Sequence, residues 1–470
     1  MSKLSKLDAY RPAVFKILTI LFVFSLFFPV RRVFLTNEAY LTGQYSDFTS
    51  FSLYLSDILI FTTWFLLLLL RPREFYHVVK PLKWLILVIL LAFVVNFGLN
   101  TRLNAYLLLK WLELIVAYGT FVVVIKEFAL KQLILKLFAC LASLEAVIAL
   151  VQFARQAPVG LFRLGEQHVG PSVLGIAKIV SGGTTFIRAY GTFPHPNPLS
   201  AFLVTGIFIV LYLLLTSPAT KFKILYSILL LLNILGLTVA FSRGAYLALA
   251  SGLVIFFATI FYKRFVIARS LPTGQAGASD EAISHKKEIA SAALAMTIVL
   301  VSILISFFIF KPFLLTRATF SDQSTVDRKF YDFTGVKMAI KNPIFGVGLG
   351  ESLLHMEQYS GKTLPPWDKQ PPHNYFILAA AEMGIPSALI LLWIFLSSLW
   401  KIIHKLKSEI HLEFTPYSLL LTTILCTFLL LMLFDHYFYT LDQTQLLLWL
   451  ILALISVETK NPQAGDSSKT

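Results

Sequence analysis

Pro371-Pro372-His373-Asn374-Tyr375 heads an apolar run that continues through Glu382 to Trp400. The two prolines stop whatever precedes them. The run that follows is long enough for a single helix to cross a bilayer, which takes roughly 20 apolar residues. This stretch therefore predicts a polar loop meeting a membrane span, with His373 and Asn374 at the junction. Asn374 is placed to cap the helix, because its side-chain oxygen can accept from the unpaired N–H groups of the first turn. An imidazole titrates near neutrality, so His373 is the first candidate for a catalytic base.

The same pattern repeats on both sides of that stretch. The chain has 470 residues, 57% of them hydrophobic, with a mean hydropathy of +0.76; soluble domains rarely exceed half apolar. About twelve spans are expected, at 13–30, 52–70, 82–98, 105–125, 133–153, 196–216, 222–240, 243–262, 289–310, 374–400, 415–434 and 441–457. The fold class that follows is an all-α polytopic membrane protein, one membrane domain over 1–470. The N-terminus carries Lys3, Lys6, Arg11 and Lys16 before its apolar run. No small-residue cleavage site follows the run, so it reads as a retained first span. Cys140 and Cys426 fall inside apolar runs and suggest neither disulfide nor thiolate metal site.

Charge sets the expected orientation. The net charge of +15 resides mostly in short loops beside spans: Arg71, Arg73, Lys80 and Lys83; Lys126, Lys131 and Lys136; Lys221 and Lys223; Lys263, Arg264, Arg269, Lys286 and Lys287; Lys401, Lys405 and Lys407. With the basic N-terminus, all fall on one side, which the positive-inside rule makes the cytoplasm, with both termini there. Arg31 and Arg32 run weakly against it. Nucleic acid is not an expected partner. The cytoplasmic loop 263–288, and Leu271 to Ser284 within it, reads as flexible, and the tail 461–470 as disordered.

Three connections face the other side: the outer loop 155–195, the turn Ser242-Arg243-Gly244, and the large loop 311–372. In the last, Asp327 to Lys341 has helix-compatible spacing for a short helix on the membrane surface. Asn342-Pro343 ends it, and Gly346, Gly348 and Gly350 mark a turn-rich return. This face collects Arg188, His195, Asn197, Arg243, Arg328, His373, Asn374, Asp435 and His436. Polar residues gather at span ends in any case, but three features single out this set. Arg243 lies in a very short turn where positive charge is disfavoured. His195 and Asn197 belong to a rigid triple-proline octet, Gly191 to Pro198. Arg328 has mostly apolar neighbours. Guanidinium forks match phosphate oxygens, so the set suggests a lipid-linked diphosphate, held by Arg188, Arg243 and Arg328, with His373 as base for an attacking hydroxyl. No acidic pair is spaced i, i+2, so no Asp-x-Asp metal motif exists; neither metal nor cofactor is expected. Within the spans, Lys110 and Glu113 can pair on one helix face. Glu145 and Glu382 are lone carboxylates in apolar helices. Glu382, about 13 Å along the helix from His373, is expected to position the site from beneath.

These motifs resemble the O-antigen ligase/polymerase superfamily of bacterial membrane glycosyltransferases. Arg188-x-x-Gly191-Thr192-Phe193-x-His195-Pro196-Asn197 is similar to its entrance loop and Ser242-Arg243-Gly244-Ala245 to its Ser-Arg-Gly turn. Arg328, followed by Asn342-Pro343-Ile344-Phe345-Gly346-Val347-Gly348-Leu349-Gly350, resembles its outer-loop pattern. His373-Asn374…Glu382-x-Gly384-Ile385-Pro386 resembles its His-Asn…Glu-x-Gly-Ile-Pro signature; Ser387 departs from the usual glycine. The resemblance spans roughly Arg188 to Trp449. It implies a GT-C-like fold and transfer of glycan from an undecaprenyl-diphosphate carrier, at the periplasmic face of the bacterial inner membrane, without metal or nucleotide. His373 would be the base, Glu382 would belong to the catalytic signature, and Arg188 and Arg243, with Arg328, would hold the diphosphate; His195, Asn197, Asn374, Asp435 and His436 would support them. The acceptor would be a hydroxyl on lipid, glycan or protein, and membrane lipids would surround the protein. A polysaccharide polymerase or protein O-oligosaccharyltransferase of the same superfamily stays open, as does a transporter or flippase.

Overall fold

The computed structural model describes residues 3–41, 43–98, 101–270, 278–317, 323–409 and 416–460. Its main helices, in chain order, are α1 (Lys3–Phe27), α2 (Leu55–Leu70), α3 (Lys83–Val95), α4 (Thr101–Phe128), α5 (Lys131–Arg155), α6 (Pro196–Thr216), α7 (Thr220–Val239), α8 (Arg243–Ser270), α9 (Ala278–Arg317), α10 (Gln323–Lys341), α11 (Tyr375–Met383), α12 (Ile385–Glu409), α13 (Pro416–Met432) and α14 (Asp442–Lys460). Nine helical segments among the described residues are long and apolar enough to cross a membrane. Three further expected spans are α2 and α13, at 16 and 17 residues, and α14, whose Asp442-Gln443-Thr444-Gln445 opening dilutes its apolarity. The chain is an all-α, multi-pass membrane protein.

Helix α6 lies at the centre. It is apolar all round, and such a helix belongs in a core. Its side chains are buried from Pro196 to Leu214, enclosed by α5, α7, α8, α9 and α13. Its start, the starts of α8 and α14, and the end of α13 meet at one end of the bundle.

That end carries small strands that the sequence did not predict; Ser52 to Tyr54, expected at the start of the span 52–70, belong to one of them. β1 (Arg31–Phe34) pairs antiparallel with β2 (Phe51–Tyr54), and β3 (Lys178–Ser181) with β4 (Thr184–Ile187). Gly182 and Gly183, at φ +56° and +77°, form the two-residue turn between β3 and β4, as right-twisted hairpins require.

Three expected boundaries move. The run from Tyr375 to Trp400 is not one helix but two, broken at Gly384. Helix α10 begins four residues before Asp327, which sets Arg328 a turn inside it; its inner face packs on α11, while Val326, Phe333 and Ile340 stay exposed. The expected flexible segment is helical from Ala278 onward; residues 271–277, and the tail 461–470, lie outside the described residues.

The break has a local cause. Gly384 adopts φ +85°, a conformation that other residues resist, and a Cβ there would lie 2.1 Å from the Ile344 carbonyl oxygen. The 342–350 return docks onto the end of α11 through Val347 N–H to Ala381 O (2.8 Å), Gly348 N–H to Glu382 O (3.1 Å) and Ile385 N–H to Pro343 O (2.8 Å). Gly384→Ala therefore combines backbone strain with a backbone clash and should destabilise the protein by about 2–4 kcal/mol. Gly361 has a similar φ of +70° but open space around it, so Gly361→Ala should cost only about 1 kcal/mol. Thermal unfolding of the two purified variants checks the difference; equal losses would show that docking at Gly384 is unimportant.

Candidate active site

Asp435 lies between the end of α13 and the start of α14, buried, with three elements brought to it. His373 presents Nδ1 at 3.5 Å from Oδ1. Arg328, from α10, places Nη2 at 3.6 Å from Oδ2 and donates from Nη1 to the Phe434 carbonyl (2.9 Å). Asn197, in the first turn of α6, donates from Nδ2 to Oδ2 (2.6 Å). Burial pushes the Asp435 carboxyl up, but the contact with His373 and the charge of Arg328 outweigh it and hold the group well below the usual carboxylate range. Asp332 of α10 stands on another flank of His373; burial raises its carboxyl and the nearby imidazole draws it back.

A second layer adjoins this one through Asn197. Arg188 donates from Nη2 to Asn197 Oδ1 and from Nε to the Ala240 carbonyl, both at 2.8 Å. Both partners are neutral, yet Arg188 is only 6% exposed. Burial, then the neighbouring charge of Arg317, lowers its guanidinium to about 9. A buried cation beside another cation is unfavourable unless an anion joins it. Arg188, Arg243, Arg317 and Arg328 all line one small cavity of about 40 Å³, together with Asp435, Asn197, Phe434 and Tyr437. Arg243, in the first turn of α8, reaches Thr325 of α10 at 3.5 Å.

The residues expected to support the site divide into distinct jobs. Asn374 is a helix cap, its Oδ1 accepting from Phe376 and Ile377 N–H (3.0 and 3.1 Å); its Nδ2 ties α11 to the Leu433 carbonyl (3.2 Å). His195 caps α6, with Nδ1 accepting from Asn197 N–H (3.2 Å). Burial, then Arg188, lowers its imidazole to about 3, so it is neutral. His436 is lowered to about 3 by burial, then by His373; its Nδ1 lies 2.9 Å from Thr440 Oγ1, and its ring centre is 5.0 Å from that of His373. Glu382 faces away from the imidazole. It accepts from Gly350 N–H (2.9 Å), Ser352 Oγ (2.7 Å) and Tyr439 Oη (3.0 Å), holding the glycine-rich return. Glu145 does the same for the entrance loop, accepting from Thr192 N–H (2.9 Å) and standing 2.7 Å from its hydroxyl.

Two groupings of ligand-type side chains emerge at close range only in three dimensions. The ligand atoms of His373, Asp435 and His436 lie within 4.8 Å of one another, as do those of Asp57, Glu113 and Asp442. In the first, the Arg328 guanidinium already places a fixed positive charge against Asp435. In the second, the Lys110 ammonium lies among the carboxylates, at 2.7 Å from Asp57, 3.0 Å from Glu113 and 3.0 Å from Asp442. The expected Lys110–Glu113 pair is thus one arm of a larger cluster. Arg317 also escaped the reading, because it ends a long apolar helix with no motif beside it.

A chamber on the far side of His436 completes the picture. It holds aromatic and polar groups together, among them Tyr54, Tyr106, Trp111, Lys110 and Gln445. Phe48 on its wall sits 5.5 Å from the His436 ring.

No curated protein matches the chain. Residues 228–392 match the family described as O-antigen ligase. That segment contains Ser242-Arg243-Gly244, Arg328 and the His373-to-Pro386 signature, and leaves the Arg188-to-Asn197 motif outside. Together with a multi-pass helical architecture and these motifs at one end of the bundle, that match supports the resemblance to the O-antigen ligase/polymerase superfamily, a group of glycosyltransferase-like membrane enzymes.

Proposed function

We propose that the protein transfers a glycan from an undecaprenyl-diphosphate carrier to a hydroxyl acceptor at the periplasmic face of the inner membrane, with both termini in the cytoplasm. The observation that carries this reading is a cavity with four arginines and one carboxylate, walled from His373 by that same carboxylate. Guanidinium groups gathered around one space suit a diphosphate. Guanidinium groups can neutralise the charge that develops as the carrier leaves, the role that preorganised cations play in such transition states. Asp435 orients Nδ1 of His373 towards itself, which leaves Nε2 to take a proton. In the step proposed, the acceptor oxygen attacks the anomeric carbon and the bond from that carbon to the phosphate oxygen breaks. The diphosphate departs with the electron pair into the arginine cavity, and the hydroxyl proton passes to His373 Nε2. These residues need neither metal nor nucleotide for that step.

A transporter would place unpaired charge along a path at mid-membrane. Here Glu145, Glu382 and Lys110 are each engaged in holding loops or helices together, which favours the enzyme. Ligase, polymerase and protein glycosyltransferase differ in the acceptor, so a panel of lipid, glycan and protein acceptors with a lipid-diphosphate donor in proteoliposomes separates them.

His373→Ala should lower transfer by about 10²- to 10⁴-fold while donor binding survives; transfer at the wild-type rate would refute the base assignment. Arg243→Ala should weaken donor binding by about 10- to 100-fold, the loss expected of a charge-assisted contact; unchanged affinity would remove Arg243 from the clamp. Asp435→Asn breaks a buried ion pair and should cost about 3 kcal/mol at pH 7. Because the Asp435 carboxyl lies below its ordinary value of 3.8, its stabilisation is present above that value and fades as the pH falls through the lower folded value. Thermal midpoints from pH 7 to pH 3 should therefore fall less steeply for Asp435→Asn than for wild type; parallel curves would refute the assignment.

A further inference from the structure

At the opposite end of the bundle from His373, helices α4, α12 and α14 line an open cavity of about 550 Å³. Its distance from the site follows from α14: Asp442 opens that helix beside the site, and Lys460 ends it about 27 Å away at 1.5 Å per residue. Lys401, His404, Lys405 and Lys460 line the cavity with Trp400 and Tyr118. Lys126 is close enough for its charge to act on Lys460. Among the described residues, the carboxylate beside these groups is Glu458, already shared: it lies 2.9 Å from Lys131 and 3.3 Å from Lys405. Among the described residues, no carboxylate pairs with Lys401 or Lys460. Like charges held together without a counterion repel, so the cavity favours an anion.

The cavity also borders the lipid-facing surface. Trp400 is 66% exposed, and it continues an outward apolar stripe on α12 formed by Leu389, Trp393 and Leu396, all exposed. These positions recur at the spacing of one helix face. Tryptophan at that depth is typical of the headgroup level. A soluble anion would need no such stripe; a lipid would use both parts. We infer that this cavity seats the phosphate headgroup of an anionic membrane phospholipid, with Lys401 and Lys460 contacting the phosphate and the acyl chains lying along Leu389, Trp393, Leu396 and Trp400. Basic pockets between membrane helices are suited to such headgroups. The inference concerns the other membrane face and does not depend on the glycosyl-transfer reading.

The test is lipid retention by the full-length protein, measured by native mass spectrometry after exchange into phosphatidylglycerol or phosphatidylcholine. Wild type should retain phosphatidylglycerol at least tenfold over phosphatidylcholine. The double variant Lys401→Ala/Lys460→Ala should lose that preference, and Lys401→Arg/Lys460→Arg should keep it. Thermal midpoints in phosphatidylcholine should not fall in the alanine variant, because removing the two lysines relieves repulsion; this separates lost binding from lost folding. Inorganic phosphate at millimolar concentration should not displace the retained lipid. The proposal is overturned if both lipids are retained equally, if the alanine variant retains phosphatidylglycerol undiminished, or if inorganic phosphate displaces it and is bound with the same dependence on the two lysines.

Discussion

The Asp435 carboxylate is the contact on which the rest of the candidate site depends. A buried carboxylate is expensive to desolvate, and its neighbours determine whether it stays ionised. Here an imidazole, a guanidinium and an amide converge on its two oxygens, and each arrives from a different part of the chain. The triple-proline entrance of α6 fixes Asn197. The helix over 323–341 brings Arg328. The proline pair before α11 fixes His373. If Asp435 moves, the imidazole loses its orientation and the arginine cavity loses one wall, so one anion couples a cation-lined pocket to a base.

Around that contact, the buried charges near the middle of the bundle serve architecture. Glu145 holds the entrance loop by Thr192, and Glu382 holds the glycine-rich return by Gly350 and Ser352. Each carboxylate fastens an irregular segment to a helix, and irregular backbone at such depth needs partners of this kind. The loops that carry Arg188 and the residues beneath His373 are thus fixed from inside the membrane domain.

Much of this was legible in the sequence. Hydropathy gave the spans, because crossing a bilayer imposes a length that composition reveals. The capping role of Asn374 followed from its place before an apolar run. The grouping of Arg188, Arg243 and Arg328 followed from sidedness, since span counting assigns each loop to a face. What remained hidden needed distances. Arg317 looked like an ordinary helix end. The approach of Asp435 to His373 joins positions 62 residues apart, and no local pattern records it. The break at Gly384 was concealed because an unbroken apolar run reads as one helix, while the return that docks against the break, around Ile344, lies about 40 residues away in the chain. The fourfold Lys110 cluster was visible only as its local pair with Glu113; Asp57 and Asp442 lie far off in the chain.

That cluster has a consequence for how the polypeptide is made. Lys110 joins α2, α4 and α14, so a cluster that begins with Asp57, Lys110 and Glu113 is completed only when α14 arrives. Ser56 reinforces the closure by donating to Asp442 (2.9 Å). Until the ribosome has released that helix, the early helices hold an ammonium and two carboxylates with one partner missing. The motif-poor N-terminal third is therefore no detachable preface. It forms half of a latch that shuts only once α14 is in place, and a chain cut short before α14 would leave that latch open inside the membrane.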